Sequence, residues 1–141
     1  MRVCVIDGRG GGLGARLVSG LRDTLGRSCQ ILGLGTNLAA AEAMREAGAE
    51  QVASGVEAIS RTVPTVDVIV ASLNMILPGA MLGEVTSEVS KTILEAKAKK
   101  VLLPLNRVHI EIVGTEGRTM DVLISECLSR VRIAVGATGQ A

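Results

Sequence analysis

The chain has 141 residues, a length that fits one domain, and 48% of them are apolar although Phe, Tyr and Trp are all absent. Fifteen basic against 14 acidic residues leave a formal charge of +1, which argues against a strong electrostatic footprint for nucleic acid or an anionic membrane. Without aromatics there is no tyrosine acid or base and no aromatic platform for a base, flavin or sugar, so the core is built from Val, Ile, Leu, Met and Ala.

Residues 2–6 (Arg-Val-Cys-Val-Ile) are apolar on alternate and adjacent positions alike, the pattern of a strand buried on both faces of a parallel sheet. A glycine-rich segment, 8–14, follows, and then Leu13, Leu17, Val18, Leu21 and Leu25 recur at helical spacing up to Gly26. A second strand reads at 29–34. Thr36 or Asn37 is placed to cap an Ala-rich helix over 38–47, ended by Gly48. A weak third strand near 50–53 and a short polar helix over 56–62 precede Pro64, and Val66 to Ala71 form a strong fourth strand. Segment 72–85 is loop-like. Thr86 caps a helix to about 98, a fifth strand covers Val101 to Leu103, and segment 108–113 alternates as an edge strand solvated on one face would. A last helix is predicted over 119–131, with Leu123, Ile124, Cys127, Leu128 and Val131 facing the core.

The alternation of strands and helices predicts an α/β fold, a Rossmann-like three-layer sandwich with a mostly parallel sheet of order 3-2-1-4-5 plus an edge strand. A single Rossmann-like domain spans 1–135, and 136–141 is expected to be a flexible tail. No apolar run reaches the ~18 residues of a membrane span, and the N-terminus lacks the apolar stretch of a secretory signal. Cys4, Cys29 and Cys127, widely spaced in apolar surroundings, read as buried reduced thiols. A cytoplasmic protein is expected.

The sharpest local feature is Asp7-Gly8-Arg9-Gly10-Gly11-Gly12-Leu13-Gly14, set between a strand and a helix. Phosphate binding needs a tight turn, close backbone approach and free N–H groups at a helix start. The alternative is that the glycines only let strand and helix pack closely, although each glycine costs backbone entropy. Gly10-x-Gly12-x-x-Ala15 fits one dinucleotide fingerprint. Gly8-x-x-x-Gly12-x-Gly14, after Val5-Ile6, resembles the first strand and turn of the short-chain dehydrogenase/reductase family over about the first 35 residues. That resemblance implies a dinucleotide site. It does not imply the family's chemistry, which needs a Tyr this chain lacks.

A NAD site usually ends its second strand with an acid on the ribose. Here that stretch is Gly35-Thr36-Asn37, and the resemblance gives Arg9 a place beside a 2′-phosphate, so the lean is to NADP over NAD. Arg9 is otherwise a solvated loop charge, and Thr36 and Asn37 are otherwise capping residues. Asp7 either accepts loop N–H bonds or faces a cation.

Ser72 and Asn74 after strand four, and Asn106 and Arg107 after strand five, would line the crevice at the carboxyl ends of the strands. Turn chemistry beside Pro78 and Pro104 is the other reading of the two asparagines. Segment 75–85, with Gly79 and Gly83 as hinges, is either a lid or an apolar contact within a homodimer. With no aromatic available, a base would lie between Leu13, Leu34 or Leu73. His109 reads as solvent-facing, and one His among scattered carboxylates makes no metal site.

The whole chain, including Leu34-Gly35-Thr36-Asn37, Met81-Leu82-Gly83-Glu84 and Leu103-Pro104-Leu105-Asn106, resembles a family of small bacterial proteins classed as a Rossmann-like domain of unknown function. The expected function is a small nucleotide-binding module for NADP, NAD or another phosphate ligand, with a sensing or partner-dependent role and no catalysis of its own. The rivals are an enzyme acting on a phosphorylated metabolite, with Asp7, Asn74, Asn106 and Arg107 around the reacting centre, and an interaction protein that takes no ligand.

Overall fold

The computed structural model describes residues 1–105 and 109–139. Five parallel strands form one sheet in the order β3-β2-β1-β4-β5. These are β1 (Arg2–Asp7), β2 (Gln30–Gly35), β3 (Gln51–Ser54), β4 (Val68–Ser72) and β5 (Lys99–Leu103). The helices are α1 (Gly12–Leu25), α2 (Leu38–Glu46), α3 (Val56–Thr62), α4 (Ser87–Glu95) and α5 (Met120–Gly139). The fold is the three-layer α/β sandwich that the alternation of elements predicts.

Successive residues of a strand point to opposite faces, so each strand feeds two cores. Val3, Val5, Val68 and Val70 pack with Leu17, Leu21, Met44 and Ile124 beneath α1, α2 and α5. Cys4, Ile6, Ile69 and Ala71 pack with Ile59, Val89 and Ile93 beneath α3 and α4. Branched aliphatics fill both layers without aromatics. Burial pushes the Cys4 thiol up to about 12 and the Cys127 thiol to about 11, so neither is a nucleophile at neutral pH.

The chain winds from β1 outward to β2 and β3, then returns to β4 on the other side of β1. The sheet therefore has its topological switch point between β1 and β4, where open α/β sheets bind ligands beyond the carboxyl ends.

Three regions differ from expectation. The sixth, edge strand is not formed among the described residues of 108–113, where only Ile110 makes an isolated bridge. Pro104 has no N–H to extend the ladder after Leu103, His109 sits at φ 64, and Gly114 and Gly117 turn the chain at positive φ. In addition, α4 stops at Glu95 and β5 begins at Lys99, earlier than its apolar residues indicate, because Lys99 pairs with Val68. The last helix runs beyond 131, through Gly139.

Candidate functional site

The C-terminal residues of β1 and β4, Asp7 and Ser72, follow the alternation of Val3-Val5 and Val68-Val70 onto the face covered by α1. Asp7 is 4% exposed. Its Oδ1 accepts the Gly8 N–H at 2.8 Å and its Oδ2 accepts the Gly14 N–H at 2.7 Å. One carboxylate thus clamps both ends of the glycine loop, the first of the two roles open to it from sequence. Burial pushes the Asp7 carboxyl above its ordinary range, outweighing the N–H bonds from Gly14 and Gly8, and the nearby Glu84 charge pushes the same way.

The five glycines of the loop divide into two groups. A Cβ on Gly8 would stand 2.6 Å from Thr36 Oγ1 and 2.7 Å from Met81 Sδ. One on Gly14 would stand 2.9 Å from both Asp7 Cβ and Met44 Sδ. Gly11 meets Ala40 and holds φ 73. Packing and backbone conformation account for these three. Neither accounts for Gly10 and Gly12, where a Cβ would meet nothing within 4 Å and φ is not positive. The loop is bare at these two positions, next to the first N–H groups of α1, at Gly12 and Leu13, which have no acceptor within the helix.

Beside the loop, the second strand ends on Gly35-Thr36-Asn37. Gly35 is required by the close passage of α2, since a Cβ there would meet the backbone of Asn37 and Ala41. Asn37 caps α2 through its Oδ1, which accepts the Ala40 N–H at 2.8 Å. Its Nδ2 stays free for other acceptors and donates to Arg9 O at 2.9 Å.

The sequence reading did not single out Glu84. Glu84 Oε1 accepts three hydrogen bonds, from Arg9 N at 3.0 Å, Thr36 Oγ1 at 2.6 Å and Asn37 Nδ2 at 2.8 Å. The Thr36 hydroxyl and then the Arg9 amide hold its carboxyl below the ordinary glutamate value. It forms no ion pair among the described residues, so the charge rests on dipoles, with the Arg9 guanidinium adding attraction from farther off. The available signal was indirect: β2 carries no acid at its end, and Glu84 is the acid of the segment that follows β4.

That segment lies over the loop. Met75, Ala80 and Val85 are fully buried in the second core and anchor it. Gly79 N–H donates to Val85 O at 2.7 Å and closes it into a compact turn. Gly79 and Gly83 take φ near 90°, a conformation that favours glycine. Most of its apolar residues are absorbed by the chain's own core, but Leu82 is 87% exposed.

Of the remaining candidates, Ser72 is 1% exposed and its Oγ has no hydrogen-bond partner among the described residues, and Asn74 Oδ1 is likewise buried and unpartnered. Ser72 ends β4 and Asn74 lies just beyond it, at the switch point. Leu34, expected against a base, is instead buried in the second core because its position in β2 faces α3 and α4, while Leu13 and Leu73 are partly exposed. Asn106 and Arg107 lie outside the described residues.

A family model described as a domain of unknown function (DUF3842) matches residues 2–136, and the chain belongs to that family. No curated protein matches the chain. Among solved structures it is similar to a dodecameric FMN-dependent Ubix-like decarboxylase from Escherichia coli O157:H7, with 15% identity and a TM-score of 0.52 over 99% of this chain and 94% of that one. At that identity the likeness speaks for the fold. No described helix is long and apolar enough to cross a membrane.

Proposed function

We propose that this chain is a small nucleotide-binding module in which the glycine loop receives a phosphate or pyrophosphate and the Thr36–Asn37 stretch meets an adenosine ribose. Binding serves a sensing or partner-dependent role without catalysis by the chain itself. The observation that carries the reading is the pair Gly10 and Gly12, which neither packing nor backbone conformation requires and which border the free amides of α1. The Ser72 hydroxyl across the switch point, without a partner among the described residues, supports it, because a buried polar group without a partner is costly unless a ligand or water satisfies it.

NADP is the dinucleotide favoured by Arg9, with NAD the alternative. The FMN named for the similar decarboxylase makes FMN a third candidate. The phosphate end of such a ligand fits the bare loop, whereas the space at Thr36 and Asn37 already holds the Glu84 carboxylate. The commitment of both Asp7 oxygens to the loop amides counts against Asp7 as a reacting group.

A thermal-shift panel of NADP, NAD, FMN, adenine nucleotides and simple phosphates tests the proposal. A true ligand near 100 times its Kd raises stability by ~2.7 kcal/mol. Gly12→Val, whose Cβ meets nothing within 4 Å, is expected to remove that shift while leaving the ligand-free melting curve in place. A panel with no response sinks the proposal. A homodimer is part of the same reading, supported by exposed Val113, Val122 and Ile133 around α5. Light scattering that returned a monomer at micromolar concentration would remove it.

A further inference from the structure

We propose that Arg9 N–H, Thr36 Oγ–H and Asn37 Nδ2–H form an oxyanion subsite, and that Glu84 is its resident occupant, exchanged for the anionic group of the ligand. This rests on the nucleotide-binding reading of the glycine loop and adds how the loop is kept closed.

The three donors come from three separate stretches of chain and converge on a single oxygen, Glu84 Oε1. A carboxylate oxygen and a phosphoryl oxygen accept hydrogen bonds alike, so the socket holds either. All three donors are neutral. When one anion leaves and another arrives, no buried cation is stranded, and the exchange is close to balanced. A neutral ligand has no such access, because it offers the socket no charge in place of the one it displaces.

The segment that carries Glu84 is built to let go. Met81 and Leu82 both sit at φ 56, two successive non-glycine residues in the left-handed region that side chains disfavour. Gly79 and Gly83 flank them at φ 90 and 89. The anchors Ala80 and Val85 are fully buried, so movement is needed only from 81 to 84. At the tip, Leu82 is 87% exposed and adds little to hold the closed form. Met81 Sδ and Glu84 Oε1 are two of the three atoms nearest to a Cβ built on Gly8, so tip and loop are in contact. Opening the tip uncovers the Gly8 end of the loop and empties the socket together.

The test is isothermal titration of the full chain with pyrophosphate, comparing wild type, Glu84→Gln and Glu84→Ala, with melting curves to establish that each variant is folded. Both variants are expected to bind roughly tenfold tighter or better, since the competing charge is gone. Hydrogen exchange at Gly83 and Glu84 is expected to accelerate when pyrophosphate is added to the wild type. Equal or weaker binding by the folded variants overturns the exchange and leaves the loop as a phosphate site. Absence of binding by all three proteins overturns the loop reading, and the exchange with it.

Discussion

The two ends of the sheet each hold a glutamate below its ordinary pKa, by different means. At the amino end, Glu50 Oε1 accepts from Arg22 Nη2 at 2.9 Å and from Ile31 N at 3.3 Å, and the Arg22 hydrogen bond is the main cause of its shift. Arg22 also donates to Gly26 O and Gly48 O, so the ion pair stitches the end of α1 to the entry of β3. It borders a cavity of about 720 Å³ that Arg2 and Arg27 also line. At the carboxyl end, Glu84 is held by two N–H groups and a hydroxyl. A carboxylate paired with its own cation is a cross-link, here a partly exposed one that salt screens. A carboxylate held by dipoles has no such charge partner. The cavity of about 720 Å³ lies at the cross-linked end of the sheet, and the proposed anion site lies at the end where Glu84 is held by dipoles.

The largest effect is expected where the loop frame is clamped. Asp7→Ala leaves the Gly8 and Gly14 amides without their acceptor and should cost about 3 kcal/mol in urea unfolding. A loss below about 1 kcal/mol would show that the loop stands without its clamp.

Next come the two kinds of glycine. Gly14→Ala forces a methyl against Asp7 and Met44 and should cost about 2 kcal/mol. Gly12→Ala enters open space and should change stability by no more than about 0.5 kcal/mol. Similar costs at both positions would erase the division of the loop into packed and bare glycines.

The two glutamates themselves are separated by salt. The drop in Tm caused by Glu50→Gln should shrink as sodium chloride approaches 1 M, because an exposed ion pair is screened. The drop caused by Glu84→Gln should persist. If both drops fade together, Glu84 depends on charge as Glu50 does.

The smallest effect is in pH. Glu84 has a lowered folded pKa, so its contribution is complete above the unfolded value of about 4.3 and is lost as pH falls through the folded value. Asp7 has a raised folded pKa and acts in the opposite sense. The folded chain takes up that proton first, so acidification from neutrality favours the fold until the unfolded value of about 3.9 is passed. Denaturation midpoints of wild type and Glu84→Gln over roughly pH 3 to 7 should therefore lie furthest apart near neutrality and converge at the acid end.

Much of this was legible in the chain. Buried strands announce themselves as apolar runs, and helices as apolar residues three and four apart, as Leu17, Val18, Leu21 and Leu25 do in α1. Lys99 and Lys100 hid the start of β5, because the start of a strand at the sheet edge tolerates charge. His109 to Val113 alternated as a strand does, yet alternation cannot supply a neighbour to pair with. In the site, the glycine loop could be placed from sequence. Glu84 could not, since 48 residues separate it from the hydroxyl it binds.

The sequence by itself determined the layer order, the absence of aromatics from the core and the position of the glycine loop, because these follow from local periodicity and composition. Only the tertiary structure decided which glycines are bare and which acid is held beside Gly8. Those answers depend on side chains brought together across the switch point between β1 and β4, and no local pattern along the chain encodes a distance between residues so far apart.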